Sequence, residues 1–540
     1  MRPAPLLLLL WCAAFPALAA NEVALERVER LEPRKPHPPP PNWAPAPEAE
    51  EPDSTGAEAG EAALWDPTAP EPDSILLPAD PSAGIEAPQS AAVLTTINGL
   101  SYQPAANLRP SDANAAASST RVIQAVNTEI AIYGTSGGPP IQARPLADFF
   151  GALSAPGWGP VIDPRVYYDR NAANPRFWVV AVQRRSSTFD GKFYLSISRS
   201  AEPASLNSSA WCHYGAPAVV YPGTPDQARA DYPMLGFGAD KYSLSLPHFR
   251  ANFSFVVTQL WIGDKQTVEN NATSCKTLIA SVFTASTVGD ENAKIIHPVQ
   301  HFTNPSSFPG HTNPLYMVST KATPTSTYTI WRASNLDPIT ISLAHPNGNT
   351  LFSTPPPAPQ PNSSKFLSTS TNDSRILRAV GLGNNVWASH SVACANETLP
   401  NEACGRVIGV TLSDGGAFPF TTFFQQTIFG CGNGIFCWMP AVAVDGAQRT
   451  VVTFLRSSVN EYLGSHWTMK AFADQNYATS QKLREGKCTR DDGNLIQTGD
   501  FTGAHPSPSL TTFWLTGEAA EKVPTEFDPC YWATTILQVN

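Results

Sequence analysis

From about Ala91 to Asn540 the chain runs in short stretches of Val, Ile, Phe, Tyr, Trp and Thr, each broken by Gly, Pro, Asn or Asp. Runs of that length and content read as strands between turns. Helical periodicity extends to no more than a turn or two, near Leu146 to Leu153 and Lys470 to Lys482. One pattern returns. PRVYYD from Pro164 and PAVAVD from Pro440 share the form PxVxxD, and after a short turn each leads to an apolar strand, WVVAV from Trp178 and TVVTF from Thr450. Looser copies begin at Pro233 (PMLGFGAD, then YSLSL), Pro314 (PLYMVST, then YTIW), Ala379 (AVGLGNNVWASHSV) and Asp500 (DFTGAHPSPSLTTFWLTGE), and an early one runs from Asp112 through VIQAV to IAIYG.

The anchors Asp112, Asp163, Asp231, Asn313, Ala379, Met439 and Asp500 lie about 65 residues apart on average, the size of four strands with their loops. A sheet that small leaves both faces wet unless neighbours stack on it, and radial stacking gives a β-propeller. The expected fold is all-β, a β-propeller of seven blades, with six as the alternative if the Asp112 unit only completes another blade. An array of β-sandwiches would also be β-rich, but it would not repeat a turn after each PxVxxD. Proline fits at the first residue of a strand, where no ladder hydrogen bond is lost. Closure by strands from both chain ends places residues near Val122 to Ile132 beside the C-terminal strand, Trp532 to Val539.

Upstream the texture differs. Arg2, the apolar run from Leu6 to Phe15 and the small residues Ala17-Leu18-Ala19 make residues 1–19 a secretory signal peptide. Trp11 before Cys12 argues against a lipoprotein. Residues 20–90 are rich in Pro, Glu and Ala, with the run Pro38 to Pro41, and bury too little apolar surface to order themselves. They read as a disordered linker, a spacer with a short helix from Val23 to Leu31, and residues 91–540 as the propeller domain. No later segment offers the apolar length of a transmembrane helix. The product is expected to be secreted and extracellular, with the periplasm or cell surface as its other settings.

Eight cysteines remain after the signal. In an exported chain an even number favours disulfides, and zinc would need closely spaced ligand pairs that are missing. Loop length alone pairs Cys394 with Cys404 and Cys431 with Cys437. The other four pair among themselves, with Cys488–Cys530 fastening the last blade and Cys212–Cys275 completing the set. Charged residues are 15% of the chain and the net charge is -10. That balance argues against a nucleic-acid partner, because phosphate binding draws on clustered Lys and Arg.

The starts of a propeller's innermost strands converge on its axis. Asp163, Asp231, Asp500 and Asp112 share that repeat position. Converging carboxylates suit calcium, the cation expected of Asp163, Asp231 and Asp500. They also suit sugar hydroxyls, or acid–base cleavage of a glycoside, for which Asp163, Asp500 and Glu518 are the candidates. The structural alternative is that each Asp bonds the backbone amides of its own turn. Tyr168, Tyr232 and His390, with Tyr167 and Trp387, lie beside these positions as a carbohydrate platform, against an inter-blade core role. His297 and His301, with His311, are set aside as a metal site because Pro298 intervenes and no carboxylate is near. No HExxH, phosphate loop or GxGxxG occurs.

At PSDANAAASSTRVIQAVNTEIAIYG from Pro110, DPRVYYD from Asp163 with RFWVVAV from Arg176, FYLSISRSAEP from Phe193, DYPMLGFGADKYSLS from Asp231, VWASHSV from Val386 and GDFTGAHPSPSLTTFWLTGEA from Gly499, the chain resembles exported bacterial-type propeller proteins related to the sialidase-like, Asp-box group. Most of that group has no assigned activity. The resemblance implies the fold over residues 105 to 540. It carries no sialidase activity here: the full Asp box SxDxGxxW is absent, and Thr489-Arg490-Asp491-Asp492-Gly493 keeps only its start. These observations give a secreted or surface-associated propeller that binds a glycan or other extracellular polymer without turnover. A glycan hydrolase or lyase using funnel carboxylates is the second reading, and a structural or adhesive protein the third.

Overall fold

The computed structural model describes residues 27–31, 33–34, 91–102, 110–152, 157–185, 189–225, 227–284, 293–306, 313–321, 328–336, 339–346, 352–369, 374–394, 402–413, 420–491, 495–522 and 530–540. The signal peptide and most of the linker lie outside the described residues.

The fold is an all-β propeller. Strand follows strand as antiparallel meanders, and the inner strands buried on both faces are the apolar runs of the sequence: Trp158–Asp169, for example, is buried from Val161 onward. Among the described residues, five sheets of four or five strands stand separately, in place of the seven or six expected. They begin at Asn114–Ala117, Trp158–Asp169, Ala293–Pro298, Ile435–Val444 and Gly503–Pro506. Two further meanders, beginning at Met234–Phe237 and Arg378–Leu382, belong to one twelve-stranded sheet.

The fusion has a local cause. After Ala293–Pro298 the chain continues as Gln300–Thr303, which pairs in parallel with both neighbouring inner strands, Phe237 opposite Gln300 and Val380 opposite Gln300. Both neighbours offer glycine at the contact. A Cβ on Gly236 would stand 2.6 Å from the Pro298 carbonyl carbon, and one on Gly381 would collide with the His301 ring. The side chain of Gln300 then reaches across the axis. Its amide nitrogen donates to the Tyr168 carbonyl (3.0 Å) and meets His505 Nε2 (3.0 Å), and its oxygen accepts from Arg378 (2.6 Å).

Closure joins strands from both ends of the domain, as expected, but through an earlier segment than expected. The strand that pairs with Cys530–Val539 is Val93–Ser101, and residues 122–132 lie in the adjoining sheet. Contact there is through side chains, with Gln124 donating to Thr534 Oγ1 at 2.8 Å. Proline sits differently too. Pro164 and Pro440 lie inside their strands, at a register shift in each. The preceding residues, Asp163 and Met439, take left-handed backbone (φ 54° and 50°), as do Tyr232 before Pro233 (51°) and Asp112 (47°). The repeated proline therefore marks a bulge that bends the inner strand. Pro314 is a false copy, since Leu315–Lys321 is the second strand of its sheet.

Within the linker, Arg27–Leu31 is a strand, where a helix was expected, and Pro33–Arg34 is another; both pair with outer blade edges. Four disulfides join Cys212 to Cys275, Cys394 to Cys404, Cys431 to Cys437 and Cys488 to Cys530. The first and last tie adjacent sheets. No helix among the described residues is long and apolar enough to cross a membrane.

Gln300→Leu strands the Arg378 guanidinium and the Tyr168 carbonyl in a buried site, each lost partner costing about 1–3 kcal/mol. Chemical denaturation should show a loss on the order of 3 kcal/mol, whereas a loss below about 0.5 kcal/mol, typical of surface positions, would show that the hub does not hold the ring.

Candidate functional site

Left-handed backbone at Asp112, Asp163 and Tyr232 turns three consecutive strand entries toward one point on the axis. Oxygen atoms of Asp112, Asp163 and Asp500 come within 4.8 Å of one another there. Apart from Asn127, which lies in a turn of the sheet that Asp112 leads into, their partners lie in neighbouring sheets. Asp112 accepts the Asp500 N–H (2.8 Å) and the Asn127 amide (2.8 Å), and Asn127 in turn accepts the Asp163 N–H (2.7 Å). Asp163 Oδ2 accepts the Tyr232 N–H (3.0 Å). This is a relay across four sheets, and each carboxylate serves as a clasp between blades.

The same packing sets the charges. Burial is the main force on Asp112, and with the negative Glu518 it outweighs the N–H donors and pushes the pKa up to about 6. Burial, then Asp231 and Asp112, drive Asp163 well above the usual carboxylate range. Asp231 goes the other way. Burial opposes its charge, but the Arg184 guanidinium paired with it, the hydrogen bond from Asp163 and the nearby Arg375 together hold its pKa below the usual range. Of the two, Asp163 is the carboxyl pushed toward its protonated form and Asp231 the one held toward ionisation.

Arginine was not anticipated here. Arg165, 1% exposed, lies with its guanidinium carbon 3.8 Å from the Phe501 ring centre and 4.6 Å from that of Tyr232. One nitrogen donates to the Leu377 carbonyl at 3.2 Å, and Nε and Nη2 have no hydrogen-bond partner. Arg375 stands 5.1 Å from the Tyr232 ring centre. A signal was present: Arg165 occupies the place that Ala441 fills in the second PxVxxD copy. At the mouth a gap of about 10 Å³ is lined by Arg184, Arg229, Asp231, Phe249, Arg250 and Phe253. A larger cavity of about 250 Å³, beside the helix Lys265–Asn271, includes none of the cluster.

Among the expected residues, the structure gathers Asp163, Asp231, Tyr232 and Asp500. Glu518 lies alongside, accepting the Gly499 N–H (2.9 Å) and the Ser111 hydroxyl, with Arg490 at 4.0 Å. Two residues are elsewhere. Tyr168 packs 4.8 Å from the Phe177 ring in the core toward the preceding sheet, and burial pushes its hydroxyl up to about 12. His390 lies on the second strand of its meander, where its Nε2 is hydrogen-bonded to the Tyr328 hydroxyl at 2.8 Å and burial holds it neutral. Both are inter-blade core. For a cation, the close triad is Asp112, Asp163 and Asp500 rather than a set containing Asp231. Asp112 already uses both oxygens on N–H donors, which leaves calcium few of the six to eight oxygens it takes.

No protein-family model matches the chain, and no curated protein matches its sequence. Solved structures resemble it in part. A Trypanosoma rangeli sialidase aligns at 10% identity and TM-score 0.34 over 69% of this chain, which spans 54% of that protein. The phage phi92 endosialidase aligns at 6% identity and TM-score 0.39, over 83% of this chain and 69% of that one. An α-L-arabinofuranosidase from Lactobacillus brevis aligns at 8% identity and TM-score 0.31, over 73% and 95%. Likenesses this distant assign the chain to no family.

Asp163→Asn copies a neutral carboxyl and suits left-handed backbone. Because the folded pKa lies above the unfolded value, the wild-type chain holds its full share of stability below about pH 4 and loses it as the pH rises. The variant should match wild type in acid and become the more stable protein toward pH 7. Melting curves across that range test this; a gap that is constant with pH would show that Asp163 is not held protonated.

Proposed function

We propose that the protein acts on a glycan outside the cell, at the axial mouth beside Asp231 and Asp500, with Asp163 as proton donor and Asp231 as the ionised partner. The observation that carries this is the hydrogen-bonded pair Asp163 and Asp231, whose neighbours push their ionisation in opposite directions. Environments that push the pKa values of two carboxyls apart are what divides acid and base roles between them. The unpaired N–H groups of Arg165 beside Tyr232 supply donors for a ligand's oxygen atoms. Four disulfides fit a chain that works outside the reducing cytosol.

Binding without turnover is the second reading. It is favoured by the 5% exposure of Asp163 and the narrow gap beside Asp231, which place the proton donor behind the surface.

A glycan array followed by reducing-sugar release on every hit separates the two. The expected result is binding and release by wild type, release reduced at least about 100-fold in Asp163→Asn with binding kept, and binding lost in Arg165→Ala. Binding without release gives the second reading. Silence across the array rejects both, and release that survives Asp163→Asn removes that residue from the chemistry.

A further inference from the structure

A propeller ends each sheet in an outer strand whose unpaired N–H and C=O groups invite another strand. Most outer strands here carry a device against that. Gln142–Pro145 (QARP) and Gln481–Arg484 (QKLR) bear charge, the former with a proline. Phe420–Phe429 and Val93–Ser101 pair through register shifts, and Thr340–Ala344 is only 5 residues long. Leu278–Thr284 has none of these. Its 7 residues, LIASVFT, contain no charge, proline or glycine, and pair with Phe255–Asp264 without a shift. Ile279 is 54% exposed. A regular, uncharged, β-favouring strand of this length is the kind that associates edge to edge.

This is the edge that the chain's own beginning covers. Arg27–Leu31 lies antiparallel along it, Arg27 opposite Val282 and Leu31 opposite Leu278, and Pro33–Arg34 continues onto Trp211–Pro217 of the adjacent sheet. The covering strand brings Arg27, Glu29 and Arg30 to what becomes the new edge, charged residues of the kind the bare edge lacks. Residues 35–90 join it to the domain. While they are intact the pairing is intramolecular, at an effective concentration on the order of 1 mM, which a second copy at micromolar concentration does not match.

We propose that residues 27–34 are a releasable edge guard, and that Leu278–Thr284, once uncovered, pairs antiparallel with the same strand of a second copy. The contact is isologous, closing on itself about a two-fold axis, so it ends at a dimer. Cleavage anywhere between the guard and the domain converts the guard into a separate peptide that dilution removes.

The test is a full chain with a protease site inserted between residues 40 and 45, purified folded, then cut and separated from its N-terminal peptide. Light scattering should give the mass of one chain before cutting and twice the domain's mass afterwards. Ile279→Lys in the same background should return the cut protein to a single domain. Because cutting happens after folding, an unchanged melting curve after the cut confirms that the domain is intact. A cut protein that keeps the mass of one domain, whether its peptide leaves or stays, overturns the proposal. So does a doubled mass before cutting, or a dimer indifferent to Ile279→Lys.

Discussion

Polar groups on the axis of a propeller are cut off from water by the sheets around them, so they must find partners on one another or bear the full cost of desolvation. That constraint shapes the centre of this protein. Gln300 meets Tyr168, Arg378 and His505 from three other parts of the ring. The Asp500, Asp112, Asn127, Asp163 and Tyr232 relay does the same at the strand entries. His505 shows how far the matching goes. Its Nδ1 lies 2.7 Å from the Pro506 carbonyl and so carries the hydrogen, which leaves Nε2 to accept from Gln300. Apolar faces bring the sheets together, and these bonds fix which sheet stands where.

The chemistry of the mouth comes from the same constraint. Asp112 and Asp163 clasp neighbouring sheets, and clasping buries them, and burial favours their protonated forms. Asp231 escapes because it lies farther out, where Arg184 pairs with it. One geometric gradient, from the dry axis to the wetter mouth, therefore pushes the ionisation of Asp163 and Asp231 in opposite directions without a dedicated device. Left-handed backbone at Asp163 and Tyr232 is part of the arrangement, because it turns these entries inward at the cost of local strain.

Much of this was legible in the residues, and the misses have physical reasons. Strand content and the convergence of Asp163, Asp231 and Asp500 are consequences of apolar runs and repeat position. The sheet count is not, because the lacing by Gln300–Thr303 is a parallel, non-local pairing that no local pattern announces. Tyr167 and Tyr168 alternate toward the next and the preceding sheets. Proximity in sequence to Asp163 therefore put neither ring at the axis. His390 lies one strand out, a distance that repeat position does not record. Arg165 escaped notice because a charged residue inside a buried strand is read as an interruption, when here it is the side chain that faces the axis.

The centre and the rim of the molecule meet opposite demands. At the axis the clasping side chains and the backbone groups they hold are partnered across sheets, so substitutions there act on the ring as a whole. At the rim each sheet ends in groups without that mutual support, and the chain meets the problem sheet by sheet with charge, shift or shortness. Where the sequence LIASVFT offers none of these, a segment from the far end of the chain lies over it. Closure uses a related device, since Val93–Ser101 covers the outer side of Cys530–Val539. Both covering strands come from the N-terminal side of the first complete sheet, so the early part of the chain finishes the rim of a ring whose centre is built by residues from Asp112 onward.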